Sequence, residues 1–270
     1  MAFLQVNDLS KSFGTSEVLK DISFTMEKGK TLTIIGNSGS GKTTLLRILC
    51  YLENKNNGII SLEEKIINGD KTLYQSDVSE NRRNFGLVFQ SFNLFPQYTV
   101  LENIMLPIKL AIKKEAHDKF LNLPLSKRRK ARIAFSKQRL QEEEERIDGL
   151  LQRMNLSSKR NSYPLSLSGG EAQRTSIIRA MGLKPKILCF HEPTSALDPK
   201  LKSEVAETIL KLKEQNTTMI VVTHEMEFAK RISDQVIYME NGRIVEQGDN
   251  SIFENPKTNE LNNFLSMEVN

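Results

Sequence analysis

The chain has only two cysteines in 270 residues, Cys50 and Cys189, and neither belongs to a CxxC pair or to a metal-ligand spacing. Both lie inside apolar segments, which reads as inert core thiols in a reducing compartment. Long apolar runs are missing too. No stretch approaches the ~18 residues that a membrane-spanning helix needs, so a role at a membrane has to come through a partner. Met1-Ala2-Phe3-Leu4 does not open a basic region followed by a hydrophobic stretch. The expectation is a cytoplasmic protein without an export signal. Strong charge of one sign is also absent: 38 Lys and Arg against 33 Asp and Glu leave +5. That balance suits nucleotide or an anionic membrane surface and gives no argument for nucleic acid. With 39% hydrophobic and 26% charged residues, the composition is that of a soluble globular protein. The length suits one domain with a subdomain.

What is present is a glycine loop in the right setting. Gly36-Asn37-Ser38-Gly39-Ser40-Gly41-Lys42-Thr43-Thr44 fits G-x-x-x-x-G-K-[ST] at every fixed position. Leu32-Thr33-Ile34-Ile35 before it reads as a buried strand. Thr43 to Leu52 after it reads as a helix, with Leu45, Ile48, Leu49 and Leu52 on one face. The glycines let backbone N–H groups curl around phosphate oxygens, and the new helix points its N-terminal dipole at the same anion. Lys42 is expected to reach the β- and γ-phosphates, and the Thr43 hydroxyl to ligate Mg²⁺.

The first 30 residues read as antiparallel strands, one with Phe3, Leu4 and Val6 and another with Ile22, Phe24 and Met26 alternating. Ser12-Phe13-Gly14-Thr15 between them reads as a turn carrying an exposed ring. Residues 53–84 are polar and rich in Gly and Asn, with β pieces such as Gly58-Ile59-Ile60, and join residues 1–30 in an antiparallel part. Phe85 to Phe89 is an apolar strand ending at Gln90. A helical region from about 100 to 165 begins at Val100-Leu101-Glu102-Asn103-Ile104 and is interrupted at Pro124. Lys127-Arg128-Arg129-Lys130 and Arg132 then precede the acidic run Glu142 to Glu145. Ile133, Leu140, Ile147, Leu150 and Leu151 recur at heptad-like spacing, which predicts a long, mostly exposed helix. The basic cluster reads as a solvated helix face, with acidic lipid or nucleic acid as the other contacts open to it.

From Leu165 strands and helices alternate again. Ile187 to Phe190 and Thr218 to Thr223 read as strands. Leu201, Val205, Thr208, Ile209 and Leu212 mark a helix with Asp198 as N-cap and Pro199 in its first turn. Gln235 to Met239 and Arg243 to Glu246 form a hairpin through Asn241-Gly242. The tail from Ser251 to residue 270 reads as a short helical end. The pattern predicts an α/β fold with a mainly parallel sheet covered on both faces.

In Leu167-Ser168-Gly169-Gly170-Glu171-Ala172-Gln173-Arg174, Ser168 and Glu171 have capping-box spacing, so a helix starts here with free N–H groups and two close-approach glycines. Together with the glycine loop, this segment resembles the signature of ATP-binding cassette (ABC) proteins, and the resemblance spans about residues 3–265. It implies a P-loop cassette with a mainly parallel core sheet, an N-terminal antiparallel β subdomain and a helical signature subdomain. In that family two cassettes sandwich two ATP molecules, each site taking the loop from one chain and the signature from the other. The resemblance places Phe13 where an aromatic ring stacks on adenine. It places Gln90 where a glutamine senses γ-phosphate and Mg²⁺, Glu192 at the water-activating carboxylate and His224 at the switch histidine. ATP-contacting residues are then Phe13, Gly36 to Thr44, Gln90, His224 and the signature residues Ser168, Gly169, Gly170 and Glu171. Ser195-Ala196-Leu197-Asp198 matches the loop through which two sites communicate.

Three residues, at two places, depart from the family pattern. Cys189-Phe190-His191-Glu192-Pro193 puts His191 where the family carries an aspartate that holds Mg²⁺ through its water shell, and Glu171-Ala172 replaces paired glutamines. Imidazole offers magnesium neither charge nor oxygen, which predicts weaker Mg²⁺ retention and slower hydrolysis with Thr43 and Gln90 as metal anchors. The other reading is that surrounding waters and Thr43 suffice. Gly86 to Pro96, Thr223 to Ala229 and Ile252 to Pro256 resemble ATP-binding subunits of bacterial polar amino acid importers. That resemblance implies a homodimer on the cytoplasmic side of the plasma membrane. Its partners would be integral permease subunits and, indirectly, a substrate-binding protein, with no nucleic acid. A lipoprotein-release or export ATPase, an envelope complex and a low-turnover regulatory cassette share these motifs. The segment around 113–148 is longer and more charged than the resemblance implies.

Overall fold

The computed structural model describes residues 2–68, 75–195 and 197–268. In chain order it begins with β1 (Leu4–Phe13), β2 (Ser16–Met26), β3 (Thr31–Ile35), α1 (Lys42–Leu49), β4 (Asn57–Leu62), β5 (Lys65–Asn68), α2 (Gln75–Arg82) and β6 (Phe85–Val88). The helices α3 (Val100–Lys119), α4 (Leu125–Arg153) and α5 (Gly169–Met181) follow. The chain ends with β7 (Ile187–His191), α6 (Pro199–Glu214), β8 (Met219–Val222), α7 (Met226–Ile232), β9 (Gln235–Glu240), β10 (Arg243–Asp249) and α8 (Asn259–Glu268). Two compact units result, one from Met1–Gln90 with Lys186–Asn270 and the other from Ser91–Pro185.

The first unit holds a six-stranded sheet in the order β10-β9-β3-β8-β7-β6 and a four-stranded antiparallel sheet in the order β2-β1-β4-β5. In the six-stranded sheet all neighbours are parallel except β10 against β9. The composition of the strands explains the difference. Every residue of β3 and β8 is buried, as a strand covered on both faces requires. In β2, by contrast, Leu19, Ile22, Phe24 and Met26 are buried with exposed residues between them, the pattern of a sheet with one wet face. One apolar cluster joins the two sheets through α1, with Leu4, Leu45, Ile220 and Ile237 among its members. A second lies under α7 and α8, where the Tyr238 and Phe264 ring centroids are 5.2 Å apart.

The β9–β10 hairpin turns at Asn241 (φ 49°) and Gly242 (φ 80°). Two successive positive φ values make the primed turn that the Asn-Gly pair predicts. In the other sheet, the β4–β5 hairpin uses Glu63 (φ 50°) and Glu64 (φ 65°) for the same geometry. No turn signal marks that pair, so β5 goes unpredicted; α2 does as well. The helix after the glycine loop is shorter than its apolar spacing predicts. It stops at Leu49, Tyr51 turns the chain with φ 57°, and Leu52 is 39% exposed, off the expected face.

In the second unit α3 and α4 form a helical hairpin joined at 120–124, with α5 against both. Ile104, Ile108, Ile112, Ile147 and Leu151 are buried between these helices. The long helix predicted from the heptad-like spacing is α4, 29 residues with Pro124 at its N-cap.

Candidate nucleotide site

Four stations predicted from sequence follow consecutive strands of the parallel sheet. The glycine loop follows β3, His224 follows β8, His191 and Glu192 close β7, and Gln90 lies just past β6. Because β3, β8, β7 and β6 run parallel, all four stations fall at the carboxyl edge, where open α/β sheets bind ligands. A cleft of about 500 Å³ opens there, lined by Val18, residues 36–44, His191, Glu192 and His224. Gln90 is exposed and Phe13 is 48% exposed, and neither lines the cleft. The Lys11 ammonium lies 4.5 Å from the Phe13 ring centroid, so one face of that ring already carries a cation. Val18 carries no sequence signal for its place in the cleft wall.

The loop is shaped by contacts that only glycine allows. Gly36 has φ 142°, and a Cβ there would sit 2.1 Å from the Met239 carbonyl oxygen. Gly41 has φ 99°, and a Cβ would meet Leu19 Cδ2 at 2.7 Å. Lys42 is buried, and its ammonium donates to Gly36 O (2.6 Å), Asn37 O (2.7 Å) and Ser40 Oγ (3.3 Å). Burial pushes its pKa below the ordinary value, with the nearby Glu192 charge opposing. A cation so placed braces the loop into a ring, and a phosphate entering the ring meets a charge with little water around it.

Glu192 is held from several sides. Its φ is 49°, a strained value for a side chain with a Cβ. Its N–H donates to Val222 O (2.8 Å), and Ser195 Oγ donates to its carbonyl (3.0 Å). His224 Nδ1 lies 2.8 Å from Glu192 Oε2, and the His224 backbone N–H reaches the same oxygen at 3.4 Å. A carboxylate accepts, so Nδ1 carries the proton and Nε2 is left as the free ring position. The Glu192 side chain is 13% exposed and that of His224 55%, so the histidine forms the outer wall.

His191 touches the loop directly, with Nε2 2.7 Å from Thr43 Oγ1. Burial pushes its pKa below the ordinary value; Glu192 opposes this, and Lys42 and Arg47 add to it. The ring is therefore neutral near pH 7. In the tautomer with its proton on Nδ1 it accepts the Thr43 hydroxyl proton. That leaves the Thr43 oxygen lone pairs open to a hard cation, so a Mg²⁺ ion fits beside Thr43 with His191 orienting the hydroxyl. No group of three or more His, Cys, Asp or Glu side chains suited to a metal occurs among the described residues.

The loop after His191 runs through Ser195 to Asp198, and Ala196 lies outside the described residues. Asp198 caps α6 as predicted, accepting from the Lys200 and Leu201 N–H groups at 3.1 Å each. Thr194 Oγ1 donates to Glu225 Oε1 (3.1 Å), which also pairs with Lys202 (3.0 Å).

In the second unit Ser168 and Glu171 form the predicted capping box at the start of α5. Ser168 Oγ accepts from the Glu171 N–H (3.2 Å), and Glu171 Oε2 accepts from the Ser168 N–H (2.8 Å). Glu171 in place of glutamine therefore keeps the cap. Thr99 and Glu102 build a second, unpredicted capping box at the start of α3, for which T-x-x-E spacing is the signal. Two further residues hold the apolar segment Phe92 to Pro96. Fully buried Asn103 exchanges hydrogen bonds with Phe95 N (2.8 Å) and O (3.1 Å), and Arg179 donates to Asn93 O (2.6 Å) and Phe92 O (3.0 Å). Neither residue is marked by a motif.

Comparison with known proteins agrees with this geometry. Residues 19–195 match the ABC transporter family. The chain belongs to that family. It is 44% identical over 264 residues to the arginine transport ATP-binding protein ArtM of Bacillus subtilis (strain 168), covering 97% of this chain and 98% of that one. It is 40% identical over 268 residues to the L-cystine import ATP-binding protein TcyC of the same organism, covering 99% of both. Among solved structures, the dimeric post-hydrolysis state of the ATP-binding cassette MJ0796 bound to ADP and Pi superposes with a TM-score of 0.67. It is 28% identical, with 92% of this chain and 98% of that one covered. The α/β cassette fold and its ATPase class are thereby shown. No helix of the described residues is long and apolar enough to cross a membrane.

Proposed function

We propose that this chain is the ATP-hydrolysing subunit of an importer for polar amino acids. In this reading two copies work on the cytoplasmic side of the plasma membrane with separate integral permease subunits and, through them, a substrate-binding protein. The observation that carries this reading is nearly full-length identity of 40% or more to arginine and cystine transport subunits. The cleft chemistry supports it.

In the proposed cycle the loop N–H groups and Lys42 hold the β- and γ-phosphates of ATP, a placement that supplies most of the catalysis in phosphoryl transfer. Glu192 orients the attacking water, and His224 Nε2 faces the γ-phosphate while Nδ1 stays tied to Glu192. Thr43 and Gln90 offer oxygens that would hold Mg²⁺, which neutralises phosphate charge when bound. Ser168, Gly169, Gly170 and Glu171 of a second copy would close the site, so a monomer should bind ATP and turn it over poorly. In sequence Gln90 lies beside the apolar segment Phe92 to Pro96, which would carry the motion to the permease.

The test is reconstitution in proteoliposomes with a co-expressed permease and an amino acid-binding protein. ATP hydrolysis should rise when arginine or cystine is supplied with the binding protein. If the chain never copurifies with a membrane subunit, and its deletion leaves uptake of polar amino acids at full rate, the importer reading fails.

A further inference from the structure

The positive charge of this chain is not spread over it. Residues 109–137 carry ten lysines and arginines against only Glu115 and Asp118, while the whole chain is +5. The rest of the protein is therefore slightly acidic, and the excess sits on the facing stretches of α3 and α4. Exposed apolar side chains share the same place. Leu110 is 62% exposed, Leu121 49%, Leu125 79% and Ile133 60%. A groove of about 1130 Å³ between the two helices is lined by Leu110, Leu125 and Ile133 together with Lys113, Arg129 and Lys137.

The hairpin is built to keep this surface in place. Arg128 donates to Leu123 O (2.9 Å) and Arg132 to His117 O (3.2 Å), closing the turn between the helices. Phe120 and Phe135 pack edge to face at 5.7 Å, with the Lys119 ammonium 4.5 Å from the Phe135 centroid. By contrast, Lys113, Lys127, Arg129, Lys130 and Lys137 are exposed and have no carboxylate within ion-pair distance among the described residues. Farther along α4 the cations are neutralised, as with Arg139 on Glu142 and Arg146 on Glu143. A merely solvated face would gain from the same i, i+3 pairing. Those five cations lack it and stand beside exposed leucines.

From this juxtaposition of unpaired cations and exposed leucines we infer that the α3–α4 hairpin is a docking surface for an anionic phospholipid bilayer. Lysines and arginines meet lipid phosphates while Leu110, Leu125 and Ile133 enter the boundary between headgroups and acyl chains, the division that interfacial helices use. The inference does not require the importer reading, because it rests only on charge and exposed apolar area.

Purified full chain is sedimented with vesicles of phosphatidylcholine alone and with vesicles of phosphatidylcholine and phosphatidylglycerol in equal parts. Binding should need phosphatidylglycerol and weaken as salt is raised. Joint replacement Lys127→Glu, Arg129→Glu and Lys130→Glu should lower partitioning on the order of a hundredfold. Leu125→Ser alone should lower it about fivefold. Both variants should keep the wild-type melting curve, and if the triple variant unfolds, Leu125→Ser and the salt series decide. Equal binding to both vesicle types, or phosphatidylglycerol binding that ignores these substitutions, overturns the proposal. So does capture of polyglutamate without any vesicle binding, which would make the hairpin a protein-docking surface.

Discussion

Around the cleft, Lys42 and Glu192 are held by backbone groups. Lys42 is ringed by carbonyls of its own loop, and Glu192 is fixed by residues after β8. In the helical unit several carboxylates instead meet cationic side chains. Glu143, 7% exposed, takes Arg146 at 2.6 Å and Lys184 at 2.7 Å, and Arg160 joins Glu144 and Asp148. The contrast separates two uses of charge. Where the sheet edge converges, a few groups are desolvated and oriented, as the proposed chemistry requires. Where helices lie side by side, charges are neutralised by one another or face water, so they set packing and surface affinity.

The largest test of the contrast is Glu192→Gln, which keeps the shape and removes the carboxylate. Phosphate release is expected to fall on the order of a thousandfold or more with ATP binding retained. Unchanged turnover would remove Glu192 from the proposed mechanism. Next is His191→Asp, which replaces a neutral acceptor on Thr43 with a carboxylate. A Mg²⁺ titration of nucleotide affinity and turnover should show tighter metal use, with activity higher by roughly ten- to a hundredfold. Wild type that performs as well as this variant at every Mg²⁺ concentration would sink the idea that His191 weakens the metal site.

On the helical side, Glu143→Gln should cost about 2 kcal/mol by chemical denaturation at neutral pH without changing nucleotide affinity. Burial works to raise the Glu143 pKa, but hydrogen bonds from Lys184 and Arg146 outweigh it and hold the carboxyl below its ordinary range. A lowered folded pKa stabilises fully above the unfolded value of ~4.3 and is lost as pH falls through the folded value. The gap between wild type and variant should therefore close in acid. The smallest effect compares two caps of the same design. Thr99→Ala and Ser168→Ala should each cost about 1 kcal/mol of stability. Only Ser168→Ala should also slow hydrolysis by the paired cassettes; equal activity in both would reduce Ser168 to a helix cap.

Much of the cleft was legible because its signals are local. The glycine loop needs glycine at 36 and 41 for reasons of backbone space, and Ser168, Glu171, Asp198, Asn241 and Gly242 declare caps and turns within four residues. The missed parts depend on contacts far apart in sequence or on residues that break the rule. Glu63 and Glu64 adopt a turn that normally selects Gly or Asn, so β5 was invisible. Leu52 keeps the helical spacing, yet the chain turns away at Tyr51 before it. Asn103 and Arg179 act through backbone carbonyls, which leave no trace in side-chain patterns.

The sequence by itself determined the strand–loop–helix unit, the helix starts and the departure at His191, since each depends on residue type at short spacing. Only the tertiary structure decided what His191 does. It brings a histidine 148 positions away to the Thr43 hydroxyl and buries it enough to stay neutral. Likewise, runs of lysine and arginine are visible in the sequence, but whether carboxylates neutralise them is set by the packing of α3 against α4. Charge and polarity act through space, and spacing along the chain predicts distance only within a turn or two of helix.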